Sequence, residues 1–194
     1  ISALRQANPE KRYIFTLPKA RAIERNIPDN EDVIKLLEAS RSNRNLYLAI
    51  ILSALGTLRR GEVCAIKYED ILRDFNAIYI HSDVVKDHDN NWIYKDYAKN
   101  AQSTRQVIYP KEVIDLIGQG EGYIFNCTPN AITVAFCKLR DSLGMKCRFH
   151  DLRHTFATHA MTSGVDAKPL SGILGQTKTS FTLDTYTHVT GDMH

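Results

Sequence analysis

Nowhere does this chain approach the ~18–20 consecutive apolar residues that a membrane-crossing helix needs. The sequence therefore predicts no membrane partner. Its opening, ISALRQANPEKRYIF, lacks the long apolar core of a secretory leader. The four cysteines, Cys64, Cys127, Cys137 and Cys147, form no CxxC pair. That spacing argues against a zinc ribbon or a dithiol redox site and predicts free thiols in a reducing cytoplasm. Charge of one sign is also in short supply. A net +3 over 194 residues is a weak signal for nucleic acid taken alone. There are no internal repeats and no low-complexity runs. With 43% hydrophobic residues, the length suits one globular domain, or one domain with a short arm.

What is present is unevenly distributed. Residues 1–60 hold eleven Lys/Arg against six Asp/Glu, and KRYIFTLPKARAIER (11–25) is basic and irregular. It reads either as a solvated arm or as a segment that tracks phosphates. Residues 1–28 read as a linker, and 29–194 as the folded domain. NEDVIKLLEAS predicts a helix with Asp29 or Asn30 as its N-cap. RNLYLAIILSALG is apolar nearly all round, as a central buried helix should be, with Gly56 as its stop. RRGEVCAIK predicts a further short helix. Between Tyr68 and Pro110 the period changes, and NAIYIHSDVV, NWIYKDY and TRQVIYP predict three strands. Helices follow over Pro110–Ile117, 129–143, 150–164, 166–174 and about 179–187. The fold class is α+β, mostly helical with a small three-stranded antiparallel sheet.

The stretch FHDLRHTFATHAM (149–161) contains neither glycine nor proline and reads as helix. Helical rotation puts Leu152, Phe156, His159 and Ala160 on one apolar face, and Asp151, Thr155, Thr158 and Thr162 on the outer side. Arg153 falls at the margin of the packed face. In LRRGEVCAIK, Arg59, Glu62, Val63 and Ile66 recur at i, i+3, i+4 and i+7. That spacing places Arg59 on an apolar face and leaves Arg60 more exposed. A charge in such a place needs a partner. The partner is either a structural carboxylate, with Glu62 the local choice for Arg59, or an anion that arrives with a substrate. Two packed guanidiniums beside a histidine suit a phosphate clamp, since their forks match phosphate oxygens and their charge does not titrate away.

TLRRGEV, HDLRHTFATH, ILGQ and LDTYTHV occur in that order. Together they resemble the catalytic domain of the tyrosine recombinases, the phage-type integrases, over roughly residues 30–190. The integrases of conjugative transposons are similar in flavour. The resemblance implies that Arg59 and Arg153 bind the non-bridging oxygens of a scissile phosphate. His150 becomes a proton acceptor or phosphate ligand, and Tyr186 the nucleophile. Lys99, in KDYAKNAQSTRQVIYP, becomes the lysine that protonates the leaving 5′-oxygen, with Lys95 and Lys86 as rivals. Gln176 stands where the family has His or Trp; its amide can donate to a phosphate oxygen but carries no proton at neutral pH.

The implied activity is site-specific recombination of double-stranded DNA through a 3′-phosphotyrosyl intermediate, in integration or excision, without cofactor, metal or ATP. Also implied are a homo-tetramer on two duplexes for a full-length protein, a monomeric fragment here, and a core-binding domain upstream of residues 1–28. His150 and His154, at i and i+4, have zinc spacing, but no HExxH glutamate accompanies them and Arg153 between them would repel a cation. His81 and His88 read as solvated. Two other functions stay open at this point: type IB topoisomerase relaxation, with the same chemistry, and a DNA-binding module weakened at Gln176.

Overall fold

The computed structural model describes residues 27–96 and 104–156. The expected helices over 166–174 and about 179–187, most of the 1–28 linker, and Lys99, Gln176 and Tyr186 lie outside the described residues.

The first helix, α1 (Asn30–Ser40), starts at Asp29, whose carboxylate accepts the Asp32 N–H at 2.8 Å. That satisfies one of the orphan donors of the first turn. Asn43 caps α2 (Arg44–Gly56) in the same way through the Leu46 N–H. Helix α2 is buried along its length apart from Leu55 in its last turn and the opening residues, so it forms the core's central rod, as its all-round apolarity predicts. It ends at Gly56, as expected. Gly56 is still helical, and the left-handed residue is Thr57 (φ 59°). Gly56 is small for another reason. A Cβ there would overlap the Tyr109 hydroxyl, which donates to the Leu52 carbonyl at 2.9 Å.

Helix α3 (Arg60–Ala65) follows directly, capped at Arg59. The chain then makes β1 (Ile71–Leu72), β2 (Ala77–Ile80), β3 (Ser82–Lys86), β4 (Trp92–Asp96) and β5 (Arg105–Ile108). A three-stranded antiparallel sheet is present in the order β1-β2-β5, with Ile78 opposite Val107 and Ile80 opposite Arg105. The expected strand NAIYIHSDVV is two strands that break at His81. Its second half, β3, pairs with β4 in a separate hairpin. His81, expected to be solvated, is only partly so: its Nε2 lies 3.0 Å from Asp70 Oδ1. Helix α4 (Lys111–Ile117) ends at Gly118 (φ 74°). Helix α5 (Pro129–Ser142) has Thr128 as N-cap and proline in its first turn, where the missing N–H costs nothing. A 3₁₀ turn, Phe149–Asp151, leads into the helical residues 152–156.

One apolar core joins α1, α2 and α3 to the inner faces of the sheets, α5 and Leu152. Gly61 brings α3 against β3; a Cβ there would overlap the Asp83 carboxylate and sit 2.7 Å from the Val84 carbonyl oxygen. That contact fixes the start of α3, and with it Arg59, against the β3–β4 hairpin.

Candidate active site

Arg59 does not lie on a packed helical face. Its backbone is extended (φ −75°, ψ 152°), and its side chain is 36% exposed at the N-terminus of α3. Helical periodicity fails here because the residue caps the helix instead of continuing it. Glu62 is the partner expected for it. Fully buried, it accepts the Arg59 backbone N–H at Oε2 and the Arg59 guanidinium at Oε1, both at 2.8 Å. This is the N3 half of a capping box: Glu62 reaches back to the Arg59 N–H, while the guanidinium, a donor only, binds the carboxylate instead of accepting a backbone N–H as serine would.

A second guanidinium, which the motif reading missed, completes the cluster. From the start of β5, Arg105 donates to Glu62 Oε1 at 3.2 Å and Oε2 at 2.9 Å. Burial opposes ionisation of Glu62. The hydrogen bonds and charge of Arg105, then the charge and backbone N–H of Arg59, outweigh it and hold the carboxyl at about 2. A sequence signal for Arg105 existed: it shares a strand face with buried Val107 two residues on.

Arg153 is buried to 1% exposure and donates to the Thr57 carbonyl at 2.6 Å. Thr57 is two residues before Arg59, so the two arginines, 94 positions apart in sequence, meet at one loop. The left-handed turn at Thr57 aims that carbonyl. A β-branched residue in this region carries strain of about 1–3 kcal/mol, the kind of cost that surrounding structure must hold in place.

The outer side assigned to Asp151 and Thr155 is in fact buried. Asp151 accepts the Arg148 N–H at 2.8 Å and the Arg148 guanidinium at 3.0 Å. The Thr155 hydroxyl donates to the Pro28 carbonyl at 2.8 Å, closing this segment onto the start of α1. Hydrophobic periodicity counts such residues as polar, although partners make their burial affordable.

His150 stands at the rim, its ring edge-on to buried His154 with centroids 5.2 Å apart. Although its surface is open, the protein around the imidazole displaces enough water to lower its pKa below the ordinary 6.5. The Arg153, Arg59 and Arg148 charges push the same way against Asp151.

Arg59 and His150 line one cleft of about 840 Å³, between the α3 N-terminus, the β3–β4 hairpin, α5 and the 3₁₀ turn. Among the described residues, Arg60, Lys86, Arg140 and Arg148 also line it, and Asp83 is the one carboxylate that does. Of the lysines considered, Lys86 reaches this cleft and donates to Asn90 Oδ1 at 2.7 Å, whereas Lys95 is exposed on β4 and does not line it. Five fixed cations facing one carboxylate suit a polyanion. Two guanidiniums and an imidazole held neutral suit phosphate chemistry in which a proton is removed.

The profile of the phage integrase family matches residues 28–192. The tyrosine recombinase XerC-like protein of Caldanaerobacter subterraneus subsp. tengcongensis is 28% identical over 195 residues, covering 82% of this chain and 49% of its own length. A tyrosine recombinase of Pseudothermotoga lettingae is 30% identical over 177 residues, covering 86% of this chain and 58% of its own. The chain thus spans about half the length of these relatives. Among solved structures, the Tn1549 transposon integrase in complex with a circular intermediate DNA superposes with a TM-score of 0.78 at 15% identity, over 99% of this chain and 74% of that one. A lambda integrase dimer bound to a COC′ core site gives 0.66 at 19% identity, over 95% and 56%. At these identities the likeness concerns the fold. Among the described residues no helix is long and apolar enough to cross a membrane.

Proposed function

This chain belongs to the phage integrase family, and from that premise we propose that it cuts and rejoins duplex DNA as the catalytic part of a site-specific recombinase. The observation that carries the reading is the junction at Thr57–Arg59. There a buried arginine from the HDLRHT segment docks beside a capping arginine from the LRRGE segment, at the edge of a cationic cleft that also holds His150.

In the proposed reaction Arg59 and Arg153 take the non-bridging oxygens of one phosphodiester. A phenol has an ordinary pKa of about 10, so its oxygen needs help to attack at neutral pH. The two guanidiniums lower the cost of the phenolate and of the crowded pentacovalent phosphorus. Tyr186 attacks, its proton passes to His150, and the 5′-oxygen leaves with a proton from Lys99. Gln176 donates an amide N–H to the phosphate. The 3′-phosphotyrosyl bond conserves the energy of the broken ester, so a 5′-hydroxyl from a partner duplex reverses the step without ATP or metal. Such exchange needs two duplexes and four active sites, hence a tetramer of the whole protein, acting in the cytoplasm where the DNA is. Residues 1–28 are proposed as the connection to a DNA-clamping domain.

The test is a duplex carrying a nick near the cleavage point, so that the short 5′-hydroxyl strand diffuses away and the adduct accumulates. A denaturation-resistant protein–DNA adduct mapped to Tyr186 and lost in Tyr186→Phe is expected. An adduct that survives Tyr186→Phe refutes the nucleophile; intact DNA binding with no adduct refutes catalysis. Exchange between two labelled duplexes separates recombination from simple relaxation of supercoils.

A further inference from the structure

No role is assigned above to Arg105 within KDYAKNAQSTRQVIYP, yet it donates both terminal nitrogens to the carboxylate that holds Arg59. We propose that Arg105 is a positioning residue: acting through Glu62, it keeps Arg59 fixed but not neutralised, so that a net positive charge faces the cleft. This inference rests on the phosphate-binding role proposed for Arg59.

The argument starts from the capacity of a carboxylate. Two oxygens offer about four lone-pair sites. The Arg59 backbone N–H and one Arg105 nitrogen use Oε2, while the Arg59 guanidinium and the other Arg105 nitrogen use Oε1. All four are filled, so the carboxylate cannot rotate. Its fork-to-fork bond with Arg105 is bidentate, the geometry that adds most orientation. Glu62 in turn holds both the backbone and the side chain of Arg59, so rotation of Glu62 would move the guanidinium.

Charge leads to the same conclusion. Arg59 and Glu62 alone would form a neutral pair, a poor receptor for a dianionic transition state. With Arg105 behind it, the buried carboxylate divides its field between two cations, and the cluster of Arg59, Glu62 and Arg105 carries a net charge of +1. Arg105 gives both terminal nitrogens to Glu62 and does not line the cleft, so the role proposed for it runs through that carboxylate. Its effect reaches the cleft through Glu62. The opposite sides of this cluster come from α3 and β5, 43 residues apart, so the linkage also ties the strand face to the helix cap.

The test uses the full chain with Arg105→Gln and Arg105→Lys, and three readouts. The first is the rate of covalent adduct formation on a pool of nicked duplexes with randomised flanks. The second is duplex binding at fixed salt. The third is NMR of selectively labelled protein, following the Glu62 carboxyl carbon and the Arg59 Nε–H. Arg105→Gln is expected to slow adduct formation about tenfold to a hundredfold, by analogy with loss of one preorganised donor, with duplex binding changed less than about threefold. Its Glu62 titration moves upward and the Arg59 Nε–H signal moves with it, which a purely structural contribution would not produce. Arg105→Lys keeps the charge but not the fork, so it restores part of the rate and keeps Glu62 ionised. If Arg105→Gln fails to fold, Arg105→Lys and its Arg59 signal decide instead: an Arg59 Nε–H identical to the parent in shift and exchange overturns the proposal. If the parent chain forms no adduct, the recombinase reading fails. The Arg59 and Glu62 signals then still decide the linkage, and an unmoved Arg59 signal in either variant overturns it. An unchanged adduct rate in Arg105→Gln alongside a shifted Glu62 titration also overturns it.

Discussion

Protonating Glu62 should unfold this protein in acid more than protonating any other carboxylate described here with a lowered pKa. The others, Glu69 and Asp87, lie at the surface and are lowered by backbone hydrogen bonds, from Gly122 and Asn91 respectively, and exposed interactions contribute little. Glu62 is fully buried between two guanidiniums. Its folded pKa is about 2 against an ordinary 4.5. Each unit is 1.36 kcal/mol of difference between protonation states, so the ionised form contributes roughly 3 kcal/mol to folding. The sign follows from the direction. A carboxyl depressed in the folded state stabilises above its unfolded pKa, and that contribution is lost as pH falls from about 5 toward 2.

The assay is urea unfolding from pH 7 to pH 2, followed by the fluorescence of Trp92. It is the only tryptophan in the chain and is half-buried beneath Lys86 on β4. The comparison is with Glu62→Gln, which has the same shape but no charge. At pH 7 the variant should be less stable by about 3 kcal/mol, because the buried Arg105 and the half-open Arg59 are left facing a neutral amide. Between about pH 5 and pH 2 the gap should shrink by about 3 kcal/mol, since only the parent has this charge to lose. Exposed carboxylates are common to both proteins and cancel in the difference. Parallel stability–pH curves for parent and variant would refute the assignment of Glu62 as the buried anion of the site.

Three further outcomes are expected. Because His150 is held below its ordinary pKa, the adduct rate should stay high below pH 6.5 before it falls, and Arg148→Gln should move that limb upward; a limb at or above 6.5 in the parent contradicts the crowding of cations around the ring. Gly56→Ala should cost about 2 kcal/mol or more, read as a drop in Tm, since the methyl must displace the Tyr109 ring from its bond to Leu52; a neutral effect would mean that α2 and β5 do not meet as described. Duplex binding should weaken with salt along a log–log slope of about −4 to −5 if all five cleft cations meet phosphates, and a flat dependence would remove the cleft as the DNA surface.

Elements governed by local chemistry were legible before any coordinates. A first helix capped at Asp29, one of the two residues expected, the all-round apolar α2 and the helix expected over 129–143 follow from side chains within one turn of each other. The misread positions are those where a distant partner changes what a residue costs. No glycine or proline between Ala77 and Val85 interrupts a strand, yet the ladder splits at His81, where Asp70 holds the imidazole. Asp151 and Thr155 look solvent-facing until Arg148 and the Pro28 carbonyl satisfy them. Arg59 looks helical because its spacing is helical, yet Glu62 three residues on is also the mark of a capping box, and the cap prevails.

The two arginines are therefore held by different means, with consequences for how each tolerates change. Arg153 is locked by burial and by the carbonyl of a strained turn, so even a conservative lysine would lose both the fork and the fit. Arg59 is half-open and held through a carboxylate whose other side is filled by Arg105, so it can be loosened without being touched. Arg153→Lys should accordingly lower stability and adduct formation together. Arg105→Lys should lower adduct formation further than its loss of stability explains. If both substitutions reduced activity only in proportion to the fraction unfolded, the distinction between a locked and a steered guanidinium would be wrong.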